Sequence, residues 1–316
     1  MLGPTASGKS RLAFELATEL DAAILCIDST TVYRQLNVGT AKPSLEERAR
    51  VPHSLLDLLD LPEAVSLAWF KRQALSALAE VQGRGRCPIL VGGSHLYFKA
   101  LLEGYDIPEV AADWEFRGWA EHQPLVELWD ELLARDPGCA DLVARQNPRR
   151  VIRALEVARA GMLFSSQSSK TPPPFRVLKI GLEADPDWLR ERIRRRTEEM
   201  FANGWVEEVR EICKNGNRQD LERLRAIGYC EILDLLDGKS TQAEALERIV
   251  LSTWRLVKKQ RTWYRRDQRA SPSEGGVAPE TDNLTAWLPA AAPDLLKRAL
   301  ELVEQFRPNP RRTPWL

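Results

Sequence analysis

The octapeptide GPTASGKS at positions 3–10 constrains this chain more than any other stretch of it. It fits the pattern Gly-x-x-x-x-Gly-Lys-Ser, a loop that turns out of a strand and into a helix around an anion. Gly3 and Gly8 permit the turns, while Pro4, Thr5, Ala6 and Ser7 carry the backbone between them. N–H groups of such a loop point inward at phosphate oxygens, and the following helix aims its positive dipole end at the same place. Lys9 supplies a mobile cation and the Ser10 hydroxyl a ligand for Mg²⁺. The required helix follows at once, because KSRLAFELATEL puts Leu12, Ala13, Leu16, Ala17 and Leu20 on one stripe. The loop ordinarily follows a central strand of about five residues. Only Met1 and Leu2 precede Gly3 here. We therefore expect the recorded start to lie downstream of the true one; the alternative is a sheet with its first strand missing.

Strand and helix patterns alternate after the loop. Residues 22–27 and 88–91 are short apolar runs, ended by Asp28 and by Gly92-Gly93. Residues 176–182 give a third strand. Helical patterning covers 66–82, 95–104 behind a Ser94 cap, 148–160 with Pro148 in its first turn, about 187–202, and 292–306. Residues 205–268 read as helices broken near Asn215-Gly216 and Gly238, and 165–174 and 271–283 read as polar connections. Continuous apolar strands separated by helices indicate a mostly parallel sheet covered on both faces. The expected fold is thus α/β and P-loop NTPase-like, with a small helical insertion and a helical C-terminal region. The organisation predicted is a core over 1–105, an insertion over 106–146, the rest of the core with a basic helical region over 147–270, and a linker and last helix over 271–316.

Composition narrows the function classes. No apolar run reaches the roughly 20 residues of a membrane-spanning helix, and the start carries no secretory pattern. Five scattered cysteines without C-x-x-C, and three scattered histidines, speak against a disulfide scaffold and a zinc site and fit a reducing cytoplasm. The net charge is zero but unevenly spread. Lys+Arg against Asp+Glu stands at 10 and 10 over 1–94, 3 and 11 over 95–144, 27 and 18 over 145–270, and 5 and 6 over 271–316. A neutral total hides a basic half of the kind a polyanion-binding protein uses.

Asp28 and Ser94 each follow an apolar strand, so both belong at the carboxyl edge of the sheet where the loop opens. Three roles stand open for Asp28 on the pattern alone: a Mg²⁺ ligand, a general base, or a strand-ending turn residue. The loop alone also admits a small-molecule kinase, with the RERIRRR run at 190–196 as a lid over phosphates.

Six blocks then occur in series: GPTASGKS, DSTTVYRQLNVGTAKPS at 28–44, VGGSHLYFKALLEG at 91–104, RALEV at 153–157, RAIGYCE at 225–231 and KKQRTWYRR at 258–266. Together they closely resemble bacterial tRNA dimethylallyltransferases, also called tRNA isopentenyltransferases, over about residues 1–266. The resemblance implies transfer of a dimethylallyl group from its diphosphate to N6 of the adenosine 3′-adjacent to the anticodon, in tRNAs reading codons that begin with U. The loop would hold the diphosphate of the prenyl donor with Mg²⁺. Asp28 would be the general base, and Ser94, at a position commonly Thr, would turn a hydroxyl toward the bridging oxygen. The tRNA anticodon stem-loop would meet Asp28, Ser29, Thr30, Thr31, Ser94, Arg117, Asn147, Arg149, Arg150, Arg225, Gly228, Tyr229, Lys258, Arg261 and Arg265. Tyr229, Trp263 and Tyr264 would be available to stack on splayed bases, although core packing is an equal reading of Trp263. The 190–196 arginines face either phosphate or solvent.

The chain departs from that pattern in places. Thr31 stands where many relatives have Gln, Cys230 replaces an often basic or polar residue, the insertion is shorter than in many bacterial relatives, and a C-terminal zinc-finger pattern is absent. No membrane and no obligate protein partner are expected, and a monomer suffices. The competing readings are a nucleotide or small-molecule kinase using ATP, prenylation of free adenylate, and a noncatalytic RNA-binding relative.

Overall fold

The computed structural model describes residues 1–167, 175–270 and 284–306, with side chains described through Arg265 in the longest helix. In chain order the phosphate loop leads into α1 (Lys9–Glu19), followed by β1 (Ala23–Cys26), α2 (Leu45–Arg50), β2 (His53–Ser54), α3 (Leu67–Gly83), β3 (Pro88–Val91) and α4 (His95–Leu102). Four helices come next: α5 (Trp114–Ala120), α6 (Leu125–Arg135), α7 (Cys139–Leu142) and α8 (Pro148–Arg159). Then come β4 (Leu178–Glu183), α9 (Pro186–Ala202), α10 (Trp205–Lys214), α11 (Arg218–Leu224), α12 (Tyr229–Leu236), α13 (Gln242–Ala270), β5 (Leu284–Pro289) and α14 (Leu295–Phe306).

Two compact units result. One comprises 1–63, 76–95 and 175–316; the other comprises 64–75 and 96–174. The helical unit is therefore larger than the 106–146 insertion expected from the sequence.

In the first unit β2, β1 and β3 pair parallel in that order, and β4 pairs parallel with β5. Residues 1–2 lie between the two groups. The Met1 amino group donates to the Leu90 carbonyl at 2.7 Å, and Leu2 bridges Gly181 through bonds of 2.8 and 2.9 Å to Ile180 and Leu182. The slot ahead of the loop thus holds two residues hydrogen-bonded on both sides.

Helix α1 covers this junction with two faces. Ala13 and Ala17 pack with Ile24 and Val91, whereas Leu12 and Leu16 pack with Ile180, Leu182 and Ala299 of α14. Full burial of each leucine contributes roughly 1.5–3 kcal/mol, which anchors the helix beginning at Lys9. The tail departs from the sequence reading: residues 284–289 form a six-residue strand in register with 178–183, so the C-terminal segment returns to the core sheet and is more than a terminal helix. The predicted linker 271–283 lies outside the described residues.

The helical unit has its own core of Phe116, Leu128, Trp129, Leu132, Cys139, Val151 and Leu155. The predicted break at 136–138 is held by Asp136, which is buried and accepts the Ser165 N–H at 2.9 Å and the Cys139 thiol at 3.2 Å.

Candidate active site

The phosphate loop is held by three side chains, Lys9 from within it and Arg192 and Gln260 from outside. Lys9 Nζ donates to the Pro4 carbonyl at 2.7 Å, and Arg192 Nε donates to the Ala6 carbonyl at 2.9 Å. The Gln260 side-chain oxygen accepts the Thr5 N–H at 2.8 Å. With those carbonyls drawn to cations, the N–H groups of Ala6 and Gly8 donate to no backbone acceptor among the described residues. The first-turn N–H groups of α1 are free by helix geometry. Donors thus converge where an anion would sit. The Ser7 hydroxyl, buried beside the loop, also lacks a partner.

Asp28 lies two residues beyond β1. Its Oδ1 accepts the Thr30 N–H at 2.9 Å and the Thr30 hydroxyl at 2.7 Å, a local turn that fixes the carboxylate, while Oδ2 accepts no hydrogen bond among the described residues. The end of β3 is brought against it by a close approach. A Cβ at position 92 would sit 2.0 Å from the Ile27 carbonyl oxygen, so only glycine fits there. Ser94 then follows at the same edge, its N–H directed at the Ile27 carbonyl at 3.4 Å. Gln260 ties this edge to the loop: it is fully buried, and its amide donates to the Gly93 carbonyl at 3.0 Å while its oxygen holds Thr5.

Electrostatics places the charged groups together. Burial, and then the nearby Arg196 guanidinium, bring the Lys9 ammonium down to about 7, with the Asp28 carboxylate opposing them. Burial lowers Arg196 as well, again against Asp28. Lys9, Arg196 and Asp28 thus act on one another electrostatically, and the Gln260 bridge from Thr5 to Gly93, where an added Cβ would lie 3.6 Å from Asp28 Oδ2, puts the carboxylate on the loop's side of the sheet. The 190–196 arginines, left between phosphate and solvent by the sequence, divide. Arg192 and Arg196 face the loop, Arg194 pairs with Glu247, Arg195 with Glu199, and Arg190 lies over the Trp254 ring at 4.6 Å. Gln260, Arg192 and Arg196 are the site residues that sequence reasoning did not assign.

The segment after Asp28 is held firmly. Glu208 accepts the N–H groups of Asn37, Val38 and Gly39 at 2.8, 2.7 and 3.3 Å. Lys42 pairs with Asp57 at 2.6 Å, and Arg48 with the same carboxylate at 2.5 Å. Ser29 and Thr30 are half-buried beside Asp28; Thr31 is buried and its hydroxyl is unpartnered.

The other expected RNA residues fall into two groups. Lys258, Arg225 and Arg265 are exposed and Arg261 half-buried, all in the first unit. Asn147, Arg149 and Arg150 are exposed in the helical unit, where the Asn147 side chain also caps α8 by accepting the Arg150 N–H. Arg117 is engaged by Glu156 through two bonds of 2.8 Å. Burial alone would raise the Glu156 carboxyl, but Arg117 and Arg153 hold it below its usual range.

Tyr229 does not offer a stacking face. It is buried against Trp205, and its hydroxyl donates to Glu208 at 2.8 Å. Gly228 makes room for the same tryptophan. The RAIGYCE block thus supports the 37–39 segment from behind. Trp263 is the exposed aromatic, its ring stacked on His95 with centroids 5.1 Å apart, whereas Tyr264 is buried.

Parallel strands that open onto a glycine-rich loop leading into a helix, with a fixed carboxylate beyond the next strand end, make this an α/β protein of P-loop type. A model of the IPP transferase family matches residues 31–267, and the chain belongs to that family. It is 42% identical to a tRNA dimethylallyltransferase of Corynebacterium efficiens over 85% of this chain and 91% of that one. It is 38% identical to one of Roseiflexus castenholzii over 96% of each. The crystal structure of the tRNA isopentenylpyrophosphate transferase of Bacillus halodurans superposes with a TM-score of 0.64 at 31% identity, covering 96% of both chains. A eukaryotic dimethylallyltransferase acting on tRNA shares the fold at a TM-score of 0.76 and 22% identity, over 98% of this chain and 80% of that one.

Proposed function

We propose that the protein transfers a dimethylallyl group from dimethylallyl diphosphate to N6 of the adenosine 3′-adjacent to the anticodon, in tRNAs reading codons that begin with U. The observation that carries the reading is the Gln260 bridge, which joins Thr5 of the loop to Gly93 at the strand end that lies against Asp28. In the transfer, the allylic C–O bond breaks, the N6–C bond forms, and one N6 proton leaves. Loop N–H groups, Lys9 and Arg196 absorb the charge that develops on the departing diphosphate. Asp28, fixed through Oδ1, takes the N6 proton on Oδ2. Ser94 at the neighbouring strand end turns its hydroxyl toward the bridging oxygen.

The residues present fit Mg²⁺. Ser10 Oγ, at the first turn of α1, is a hard oxygen donor exposed at the mouth of the loop. Mg²⁺ commonly takes only one or two protein ligands and fills the rest with phosphate oxygens and water. Bound there, it would neutralise diphosphate charge. Among the described residues no cluster of three or more His, Cys, Asp or Glu side chains competes as a metal site.

The cationic surface of α13, with exposed Lys258, Lys259 and Arg265, suits RNA phosphates better than a free nucleotide would require. Among the described residues no helix is long and apolar enough to cross a membrane, and the five cysteines are free thiols. A reducing compartment accords with the free thiols.

The test is one incubation of the protein, Mg²⁺ and labelled dimethylallyl diphosphate with either tRNA or AMP. Label in tRNA is expected. Label in AMP alone, or phosphoryl transfer from ATP without prenyl transfer, would overturn the reading.

A further inference from the structure

A cavity of about 470 Å³ lies beyond the carboxyl ends of β4 and β5. Its walls are Pro4 of the loop, Tyr264, Trp287 and the ends of both strands, and Arg261 and Arg265 line it from α13. This is the position at which open parallel sheets receive ligands, and the volume suits a small molecule of nucleotide size.

The chemistry of the walls is specific. Arg261 and Arg265 stand four residues apart on one helix, about 6 Å at their Cβ atoms. Among the described residues neither makes an ion pair, although Arg194 and Arg248 of the neighbouring surface are paired with Glu247 and Asp234. The Tyr264 and Trp287 rings meet at 58° with centroids 5.8 Å apart, giving flat walls. The Trp287 indole N–H is buried without a hydrogen-bond partner. The acidic lining residues are Glu183 and Asp185, and Asp185 already accepts the N–H groups of Asp187 and Trp188 at the start of α9. Two unpaired guanidinium groups beside aromatic walls, with a spare donor, match a phosphate joined to a planar base.

We propose that this cavity is a nucleotide subsite, with Trp287 of β5 as its base-contacting residue and Arg261 and Arg265 as its phosphate contacts. The nucleotide comes either from the RNA substrate, at a position flanking the reacting adenosine, or from a free mononucleotide. The choice of RNA probe rests on the transfer reading above; the cavity chemistry does not.

The experiment uses the full chain. Anticodon stem-loops carrying 4-thiouridine at each loop position in turn are irradiated with the protein, and the crosslinked peptide is identified. Binding of AMP, GMP, CMP and UMP is followed by saturation-transfer NMR for the wild type, Trp287→Ala and Trp287→Phe, with circular dichroism as the check on folding. A crosslink in the peptide carrying Trp287, together with a rise of roughly fivefold or more in the KM for tRNA at unchanged kcat in Trp287→Ala, assigns the site to an RNA nucleotide. Mononucleotide binding that is lost in Trp287→Ala, and not displaced by tRNA, assigns it to a free nucleotide. Either result supports the subsite. If folded Trp287→Phe and Trp287→Ala bind tRNA and mononucleotides as the wild type does, and no crosslink reaches Trp287, the proposal fails. Label entering tRNA in that same preparation would leave the transfer reading standing. Mononucleotide binding at Trp287 without any transfer to tRNA would overturn the transfer reading alone.

Discussion

Lys9 should take up a proton when the prenyl donor binds. Burial and the Arg196 guanidinium bring its ammonium from 10.5 to about 7 in the ligand-free protein. At about pH 8 a group of that pKa is only about one-tenth protonated. A diphosphate in the loop supplies the negative charge that the site lacks, so the ammonium form becomes favoured again. If binding restores the ordinary value, protonation is nearly complete, and uptake is about 0.9 proton per ligand at about pH 8. The diphosphate ester is itself essentially fully ionised there, so the proton is assignable to the protein. Calorimetry of dimethylallyl diphosphate binding without tRNA, in buffers of different ionisation enthalpy, reads this number as a slope. Lys9→Arg keeps the charge at every accessible pH and should abolish the uptake. Arg196→Gln removes the repulsion that lowers Lys9, raises the ligand-free pKa and should shrink it. The same shift fixes a stability trend. Between about 7 and 10.5 the unfolded chain holds a proton on Lys9 that the folded chain does not. The Lys9 contribution to stability therefore rises with pH across that window and is flat below it. Uptake near zero in the wild type, or equal uptake in Lys9→Arg, would refute the argument.

Three further outcomes follow from individual contacts. Asp28→Asn should cut turnover at least about a hundredfold with little change in tRNA affinity, as for a lost general base; parallel loss of rate and affinity in single-turnover and filter-binding assays would make Asp28 a binding residue. Gln260→Ala leaves the Thr5 N–H and the Gly93 carbonyl without their partner, so denaturant unfolding should show a loss of about 1–3 kcal/mol and the KM for the prenyl donor should rise; an unchanged KM would separate Gln260 from the loop. Gly228→Ala puts a methyl group 2.0 Å from the Trp205 ring and should cost about 1–3 kcal/mol, with faster proteolysis of the 37–39 segment; wild-type unfolding would show that Trp205 yields.

How far each part of this site can be read from the chain depends on how local its cause is. The loop, α1 and the carboxylate at the end of β1 were legible, because each is fixed by residues within one or two turns of itself. Gln260 was not: its partners Thr5 and Gly93 lie 255 and 167 residues away, and a glutamine in a lysine- and arginine-rich helix looks like one more solvated residue. The 190–196 run carries arginine on every helical face, so only packing against the loop selects Arg192 and Arg196. Trp263 and Tyr264 are adjacent on α13 and point about 100° apart, so one must face in and the other out; periodicity alone could not say which, and His95 on one side and Trp287 on the other decide it. Tyr229 looked like a recognition aromatic because it sits in a block shared with RNA-modifying relatives, yet its hydroxyl is bound to Glu208, which in turn holds the segment following Asp28. Strand β5 was missed because LTAWLP is a half-buried edge strand whose partner lies about a hundred residues earlier, across a connection of polar residues. Those non-local contacts hold the site: α13 and β5 arrive late in the chain and close around a loop that arrives first. The identity of the proposed anion site is therefore written at the N-terminus, and its rigidity in residues from Arg192 onward.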